Sequence, residues 1–346
     1  MRKSVLALCC LSLLCLTNAG QAQTASSQYK IANRISVDGE GGWDLLAVDE
    51  TSGRLYMSHS TMVQVIDTKA GKVVGTIPNT NGVHAIAIAS DLKKGFITCG
   101  KDSTVAIFDL ESLKILASVA VTGQNPDAIL YDSFSHQVFV FNGKSSNATV
   151  IDANTNKVTS TIALDGKPEL PVSDENGTVF VNLEDKSMID VINAKTMKVE
   201  QKWPIAPGEE PTGLAIDKEN NRLFAGCNNK MMVVIDSKTG KVITTLPVGE
   251  HVDGVAFDPE KKRAYSSNGD GTLTVVQEEG KDKFSVLETV TTQKGARTLA
   301  VDTKTHHIFL PTAEFGPPPA PTTEHPKPRP SIKPGTFVIL DVEPLK

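Results

Sequence analysis

One set of polar residues in this chain recurs at equivalent positions of a repeat, where each unit begins its first β-strand. The set is Asp44, His84, Asp127, Glu169, Thr212, Asp253 and Arg297. Carboxylates and imidazoles attract cations, and this mixture can bind zinc, copper or iron or polarise a carbonyl group. Caps of simple turns would not require histidine or arginine. The set as a whole therefore indicates a binding site. For any single member, the alternative is a polar side chain that only lines a solvated rim.

Further polar residues are expected on the same face of the protein. The ends of the second strands supply His59, Cys99, Asn142, Cys227 and Asn268, and nearby loops supply Glu184, Asp185, Glu250, His251 and Glu314. We predict that ligand binding involves His59, His84, Asp127, Glu169, His251, Asp253 and Arg297. His136, His306 and His307 fall in turns of the opposite face, where we expect them to be solvated.

A divalent metal is one candidate for the ligand, because three histidines of the set are expected to face one cavity. The sequence contains no helical HxxxH spacing and no close pair of cysteines that would specify a metal site independently. Ligand geometry is not visible in a sequence. The cofactor therefore stays open between a divalent metal and none.

The elements that position these residues follow from a second pattern. An aromatic residue recurs seven times at steps of 40 to 44 residues, at Tyr56, Phe96, Phe139, Phe180, Phe224, Tyr265 and Phe309. β-rich runs ending in a polar residue keep the same period, at Asp67, Asp109, Asp152, Asn193, Asp236, Gln277 and Asp341. Such a period with several short strands per unit is typical of propeller blades. The sequence predicts an all-β, seven-bladed β-propeller with four-stranded antiparallel blades.

The repeats also predict how the ring closes. After Asp341 the last blade has no fourth strand, and the segment from Ile31 to Val37 has no other partner. We expect this N-terminal strand to complete the last blade, which removes an exposed sheet edge. Residues 29–346 should then form a single domain. We expect the aromatics to pack between blades and the polar residues that end the runs to cap turns.

Two stretches carry a resemblance to a known family: RLYMSHSTMVQVIDTKAGKVVGTIP and RLFAGCNNKMMVVIDSKTGKVITTLPVGEHVDGVAFDP. They resemble the YVTN-repeat, YncE-like seven-bladed propellers of bacterial export compartments, and the resemblance covers about residues 29–346. It implies a propeller fold and, from the range of relatives, either a binding protein or a lactonase-like enzyme. The YVTN tetrapeptide is degenerate in every unit, with YMSH, FVFN and FVNL in its place. No catalytic motif of the family maps onto this chain.

The N-terminus predicts export. Arg2 and Lys3 precede a short apolar run from Val5 to Leu16, and small residues follow, so residues 1–22 match a signal peptide. The run is too short for a stable membrane anchor, and we expect a periplasmic or extracellular protein with no membrane span. Cleavage after Ala22 changes the net charge from −5 to 33 − 40 = −7. A negative charge disfavours nucleic acid as a partner.

The remaining features concern assembly and thiols. We expect a monomer with a small-molecule or protein partner on the channel-mouth face.

Three of the five cysteines lie in the signal segment, and Cys99 and Cys227 are 128 residues apart, which is three repeats. Residues on opposite sides of a ring cannot come within the ~7 Å that a disulfide needs between Cα atoms. We therefore predict two unpaired thiols.

One insertion interrupts the repeat at about residues 315–335, in the last blade. The segment is rich in proline, which favours an extended chain over a helix, and it should emerge beside the channel mouth. It is a lid, a partner-docking arm with Lys327, Arg329 and Lys333 as its basic points, or a disordered surface loop.

The function that the sequence favours is that of an exported binding protein, which holds a ligand or partner at the channel mouth. The alternative is a metal-assisted, lactonase-like hydrolase or lyase that uses the same face. No Ser-His-Asp pattern, nucleophile elbow or phosphate-binding loop is present in the sequence, and this favours binding.

Overall fold

The computed structural model describes residues 27–322, 328 and 330–345. The predicted signal segment 1–22 and the basic residues Lys327 and Arg329 lie outside the described residues. The described chain forms seven four-stranded antiparallel sheets. The first strand of each blade contacts the first strands of both neighbouring blades, so the sheets close into a ring. This is the predicted all-β, seven-bladed propeller.

The strands are numbered along the chain, beginning with β1 (Tyr29–Ser36). Blade one contains β2 (Trp43–Asp49), β3 (Arg54–His59), β4 (Met62–Asp67) and β5 (Lys72–Pro78). Blade two contains β6 (Val83–Ala89), β7 (Lys94–Cys99), β8 (Thr104–Asp109) and β9 (Ile115–Ala120), with the 3-10 turn η1 (Ser90–Leu92) after β6. Blade three contains β10 (Pro126–Asp132), β11 (Gln137–Asn142), β12 (Asn147–Asp152) and β13 (Lys157–Ala163).

Blade four contains β14 (Pro168–Ser173), β15 (Thr178–Leu183), β16 (Met188–Asn193) and β17 (Lys198–Pro204), with the 3-10 turn η2 (Glu184–Lys186) after β15. Blade five contains β18 (Pro211–Asp217), β19 (Arg222–Cys227), β20 (Met231–Asp236) and β21 (Val242–Pro247). Blade six contains β22 (Val252–Asp258), β23 (Arg263–Asn268), β24 (Thr272–Gly280) and β25 (Lys283–Thr291). Blade seven contains β26 (Ala300–Asp302), β27 (His307–Thr312) and β28 (Val338–Pro344).

The N-terminal strand completes the last blade, as predicted. Strand β1 pairs antiparallel with β28, and Ile35 lies opposite Ile339 in that register. The Val37 amide donates a further hydrogen bond to the carbonyl of Phe337 at 3.1 Å. The strand begins two residues earlier than the predicted Ile31 because Tyr29 is buried and its hydroxyl lies 3.0 Å from that of Tyr265.

The repeated aromatics pack between blades, which confirms their structural role. All seven are buried. Tyr56 of blade one contacts Phe108 of blade two with ring centroids 5.5 Å apart, and Phe224 of blade five stacks on Phe257 of blade six at 5.2 Å. Burying rings between sheets removes apolar surface from water, and this is the main force joining the blades.

The polar residues that end the third strands cap turns in five of the seven blades. Their side-chain oxygens accept backbone N–H groups three residues later, as in the 2.7 Å bond from Ala70 to Asp67; the five are Asp67, Asp109, Asp152, Asn193 and Asp236. The prediction is wrong for the last two blades. Gln277 accepts a hydrogen bond from Arg263 because β24 continues past it, and Asp341 contacts His307 because β28 continues into the closing pair.

Cys99 and Cys227 are buried free thiols, as predicted. Each lies in a different apolar cluster of the ring.

The proline-rich insertion starts as a short two-stranded ribbon. Phe315 and Ile332 form an isolated antiparallel bridge, the Gly316 amide donates to the Ser331 carbonyl, and the Lys333 amide donates to the Glu314 carbonyl, both at 2.8 Å. The described part of the insertion contains no helix, in agreement with its proline content. Across the described ranges, no helix is long and apolar enough to cross a membrane.

Candidate functional site

The residues that open the blades converge on the channel mouth. Asp44, His84, Asp127, Glu169 and Asp253 are each the second residue of a first strand, in blades one, two, three, four and six. Arg297 lies just before β26 of blade seven. All six side chains are half-buried. Because the first strands surround the channel, equivalent positions meet there despite their separation in sequence.

Hydrogen bonds between blades fix the backbone at these positions. In five places a side chain of one blade donates to the carbonyl of a residue that opens the next blade; these are Thr98 to Asp127, Asn182 to Thr212, Thr212 to Val252, Ser267 to Arg297 and Thr298 to Asp44. The bond from Thr298 to the Asp44 carbonyl is 2.7 Å long and joins the last blade to the first. Small hydroxyl and amide side chains at the interfaces therefore hold the mouth residues in position.

Charged groups of five blades form one continuous chain around the mouth. Asp253 Oδ2 lies 2.7 Å from Arg297 Nε, and Arg297 Nη2 lies 3.6 Å from Asp44 Oδ1. Asp44 Oδ2 then lies 2.7 Å from His84 Nδ1, and the same nitrogen lies 3.5 Å from Asp127 Oδ1. The arrangement is Asp–Arg–Asp–His–Asp, in which each cationic group lies between two carboxylates.

Blade four contributes a second group of charges. Lys167 Nζ lies 2.7 Å from Glu169 Oε1 and forms a further ion pair with Glu184. Burial opposes the charge of Lys167, but hydrogen bonds to these two carboxylates raise its pKa above the ordinary value. Lys167 was not part of the predicted site. It lies two residues before Glu169, and the alternation of side chains in an extended chain places both on one face.

Burial shapes the electrostatics of the mouth. It raises the pKa of Glu169 to about 8 and that of Asp253 to about 6, although Lys167 and Arg297 act in the opposite direction. Burial also raises the pKa of Asp127, against the opposing charge of His84. For His84 burial lowers the pKa, but the hydrogen bond to Asp44 and the charge of Asp127 raise it more. These carboxyl groups lose hydration that a bound cation would replace.

The mouth opens into a cavity of about 1380 Å³. Six predicted site residues line it, namely His84, Asp127, Glu169, His251, Asp253 and Arg297, together with Asp44, Lys167, Lys294 and Lys333. Apolar residues also line it, most of them from the insertion: Trp43, Leu45, Leu170, Phe315, Pro318, Pro328, Pro330 and Ile332. Trp43 and Phe315 contact each other with ring centroids 6.1 Å apart, and the Arg297 guanidinium lies 6.0 Å from the Trp43 ring centroid.

His59, the seventh predicted site residue, lies apart from this cavity. It is buried beneath the segment from Gly39 to Gly42, and its ring lies 4.7 Å from the ring of Phe337. Burial lowers its pKa, and neither ring nitrogen has a hydrogen-bond partner among the described residues. The reason is that His59, although it pairs with Trp43, is covered by the Phe337 ring and by Gly39, which lie against its imidazole.

The expectation that the second-strand ends face the mouth is wrong for the whole group. His59, Cys99, Asn142, Cys227 and Asn268 are all buried, and none lines the cavity. Asn142 and Asn268 bond to side chains of their own blades, for example Asn142 to Asn147 at 2.8 Å. Of the loop residues, His251 and Glu314 reach the cavity, whereas Glu250 pairs with Lys230 at 2.5 Å.

The histidines of the far face are only partly solvated. His136 is half exposed and contacts Tyr131 at 2.8 Å. His306 and His307 instead bind buried aspartates, at 2.7 Å from Asp258 and 2.6 Å from Asp341. The sequence places them on the correct turns but gives no sign of these partners, which come from strands β22 and β28.

One group at the mouth has the composition of a metal site. The side chains of Asp44, His84 and Asp127 each offer a ligand atom, and these atoms all lie within 4.8 Å of one another. Glutamate, lysine and arginine surround the group on the remaining blades.

Comparisons with known proteins found similarity in sequence and in fold. No family model matches it. It is 27% identical over 193 residues to "Uncharacterized protein YncE" of Escherichia coli (strain K12), an alignment that covers 45% of this chain and 54% of the relative's length. The chain thus matches only about half of that relative.

Among solved structures, a chain of Kuenenia stuttgartiensis hydrazine synthase superposes with a TM-score of 0.68 at 15% identity. The superposition covers 79% of this chain and 94% of that one, and at this identity the likeness concerns the fold alone. Together, these observations show a seven-bladed β-propeller whose sequence is similar to that of YncE over about half of its length.

Proposed function

We propose that this chain is an exported binding protein whose channel-mouth cavity holds a positively charged small ligand. The observation that carries the proposal is the convergence of four half-buried carboxyl groups, from Asp44, Asp127, Glu169 and Asp253, on one cavity. Lys167, Arg297 and His84 offset part of this charge but are themselves paired. A cation entering the mouth would replace the water that burial has removed from the carboxylates.

The size and walls of the cavity support a ligand with an organic body. Its volume of about 1380 Å³ exceeds what a hydrated ion requires, and small-molecule sites usually span ~300–1,000 Å³. The Trp43 and Phe315 rings, with Ile332 and the prolines of the insertion, give the cavity apolar surface beside its charged groups. A ligand that combines an ammonium group with an apolar part would use both surfaces.

The two cysteine thiols are not activated as nucleophiles, and this favours binding over covalent catalysis by cysteine. Burial raises the pKa of Cys227 to about 12 and also raises that of Cys99, so neither thiol is activated. Neither cysteine lines the cavity.

The proposal is tested by calorimetric titration with matched pairs of amines and carboxylates, such as tryptamine against indole-3-propionate. Amines should bind at least about tenfold more tightly than their carboxylate counterparts, because four half-buried carboxyl groups converge on the mouth. The double change Glu169→Gln with Asp253→Asn should remove this preference. Equal binding of both members of each pair, or preference for the carboxylates, would contradict the proposal.

A second candidate function is metal-assisted hydrolysis of a lactone-like substrate. It is favoured by the close grouping of Asp44, His84 and Asp127, and by Glu169, whose pKa burial raises to about 8. Titration of the acid released from γ- and δ-lactones by zinc-loaded protein tests it. Turnover that disappears in His84→Ala would support this function, and no turnover above the zinc-only rate would exclude it for these substrates.

A further inference from the structure

The mouth contains three potential ligand atoms in a compact arrangement. They come from the second residues of β2, β6 and β10, which are Asp44, His84 and Asp127. His84 Nδ1 lies 2.7 Å from Asp44 Oδ2 and 3.5 Å from Asp127 Oδ1, and all three ligand atoms lie within 4.8 Å of one another. The group is half-buried and borders the cavity.

The two distances from His84 are close to those between ligand atoms of a small divalent ion. Zinc binds nitrogen and oxygen at about 2.0–2.2 Å, so ligand atoms of a tetrahedral site lie ~3.3 Å apart. The contact between His84 and Asp127 already has this length, whereas the shorter contact to Asp44 would open by roughly 0.6 Å. Rotation of a carboxylate about its last side-chain bond is soft and can supply that change.

We propose that Asp44, His84 and Asp127 form a binding site for a divalent transition-metal ion, with its open coordination positions facing the cavity. The imidazole favours zinc, copper or iron over calcium and magnesium, which prefer oxygen ligands alone. The inference rests on the proposed cation-binding function of the same cavity and deepens it. It makes a metal ion the direct partner of the three side chains and leaves Glu169, Asp253 and the apolar residues of the cavity for the organic cation.

Neighbouring groups hold the three ligands in place. Arg297 Nη2 lies 3.6 Å from Asp44 Oδ1, so that oxygen is directed towards the guanidinium and Oδ2 remains for the ion. Thr298 and Thr98 donate hydrogen bonds of 2.7 and 2.8 Å to the backbone carbonyls of Asp44 and Asp127. The site therefore has a positioned backbone as well as suitable side chains.

Calorimetric titration of the untagged, processed protein with zinc chloride tests the inference. We expect one ion per chain. His84→Ala and Asp127→Asn should each weaken zinc binding at least ~100-fold, because each removes a direct ligand. The matched control is the far-face double variant His136→Ala with His307→Ala, which removes two histidines that also contact aspartates and should change the affinity less than about threefold. Wild-type protein that binds no zinc, or equal weakening in the control, would overturn the inference.

Cobalt(II) titration of the wild-type protein gives a second readout that does not depend on the variants folding. A nitrogen and oxygen site should produce visible d–d absorption without the charge-transfer band of a thiolate, because Cys99 and Cys227 are buried away from the cavity. Absence of cobalt d–d absorption, or a thiolate band, would overturn the inference. If zinc fails to bind while the amines bind as proposed, the metal site is wrong and the cation-binding cavity stands. If both fail, both proposals are wrong.

Discussion

His84 Nδ1 lies 2.7 Å from Asp44 Oδ2, although the two residues are 40 positions apart in the chain. They occupy the same place in neighbouring blades, and the ring converts one repeat of sequence into direct contact at the channel. The same relationship brings Asp127 to the other side of the imidazole. A change in one blade therefore alters the charge that two neighbouring blades experience.

The space around the His84 ring provides a test that keeps all three proposed ligands. A Cβ atom on Gly100 would lie 2.7 Å from His84 Nε2, closer than side chains approach one another. We expect Gly100→Ala to displace the imidazole and to weaken zinc binding about tenfold or more. Titration calorimetry measures this. Gly280→Ala, where an added Cβ meets nothing within 4 Å, is the control and should leave affinity unchanged. Unaltered zinc binding in Gly100→Ala would show that this ring position does not matter.

Closure by β1 should determine the stability of the whole ring. Removing Tyr29 to Ser36 opens the last blade and exposes apolar surface of β28, so the melting temperature should fall by roughly 10 °C or more. Ile35→Ala tests the same strand with one buried side chain and should cost about 2–4 kcal/mol. Ser36→Ala, at an exposed position beside it, should be neutral. Thermal unfolding distinguishes them, and a truncated protein with an unchanged melting temperature would contradict closure.

Buried carboxyl groups between blades five and six predict a pH dependence of stability. Burial, followed by the neighbouring Asp217 carboxylate, raises the pKa of Glu278 to about 7 from an ordinary value of 4.5, and no donor bonds to either Glu278 oxygen within the described part of the chain. Because the folded state binds this proton more tightly, its stabilising effect is complete below pH 4.5 and is lost as the pH rises through 7.

Replacement of this carboxyl by an amide should remove the pH-dependent loss. Between pH 5 and pH 8 the wild-type free energy of unfolding should fall by about 1–2 kcal/mol more than that of Glu278→Gln. Urea unfolding at the two pH values measures the difference. Parallel pH dependence in the two proteins would show that Glu278 ionises in the folded state as easily as in the unfolded chain.

The two thiols should be present but unreactive. The processed chain retains 5 − 3 = 2 cysteines, both buried. Denatured protein should release two equivalents in a disulfide-exchange assay, while native protein should react more than about tenfold more slowly, since burial suppresses the thiolate. Two rapidly reacting thiols in native protein would contradict their position in the ring.

Export remains a prediction from the first 22 residues. Mass spectrometry of the exported fraction should find a chain that begins near Gln23. Leu13→Arg should interrupt the apolar run and leave the precursor unprocessed inside the cell. An uncleaved N-terminus on exported wild-type protein would show that the segment is not a signal peptide.

The sequence predicted the ring because its period is fixed by geometry that every blade shares. Aromatics such as Tyr56 and Phe224 recur where blades pack, and Asp44, His84 and Asp127 recur where blades meet the channel. The prediction for His59 was wrong, because the Phe337 ring and Gly39 cover its imidazole. The contact of Glu278 with Asp217 and the wall made by Phe315 depend on distances between blades and on an insertion without periodicity. A single sequence carries no signal for either.

The central claim is that the channel mouth, rather than the far face, binds cations. The most direct test is an anomalous difference map at the zinc absorption edge from crystals soaked in zinc chloride. We expect the strongest peak between Asp44 Oδ2, His84 Nδ1 and Asp127 Oδ1, within about 2.3 Å of each of these three atoms. A map whose strongest peak lies at His307 and Asp341, or which shows no peak at the mouth, would contradict it.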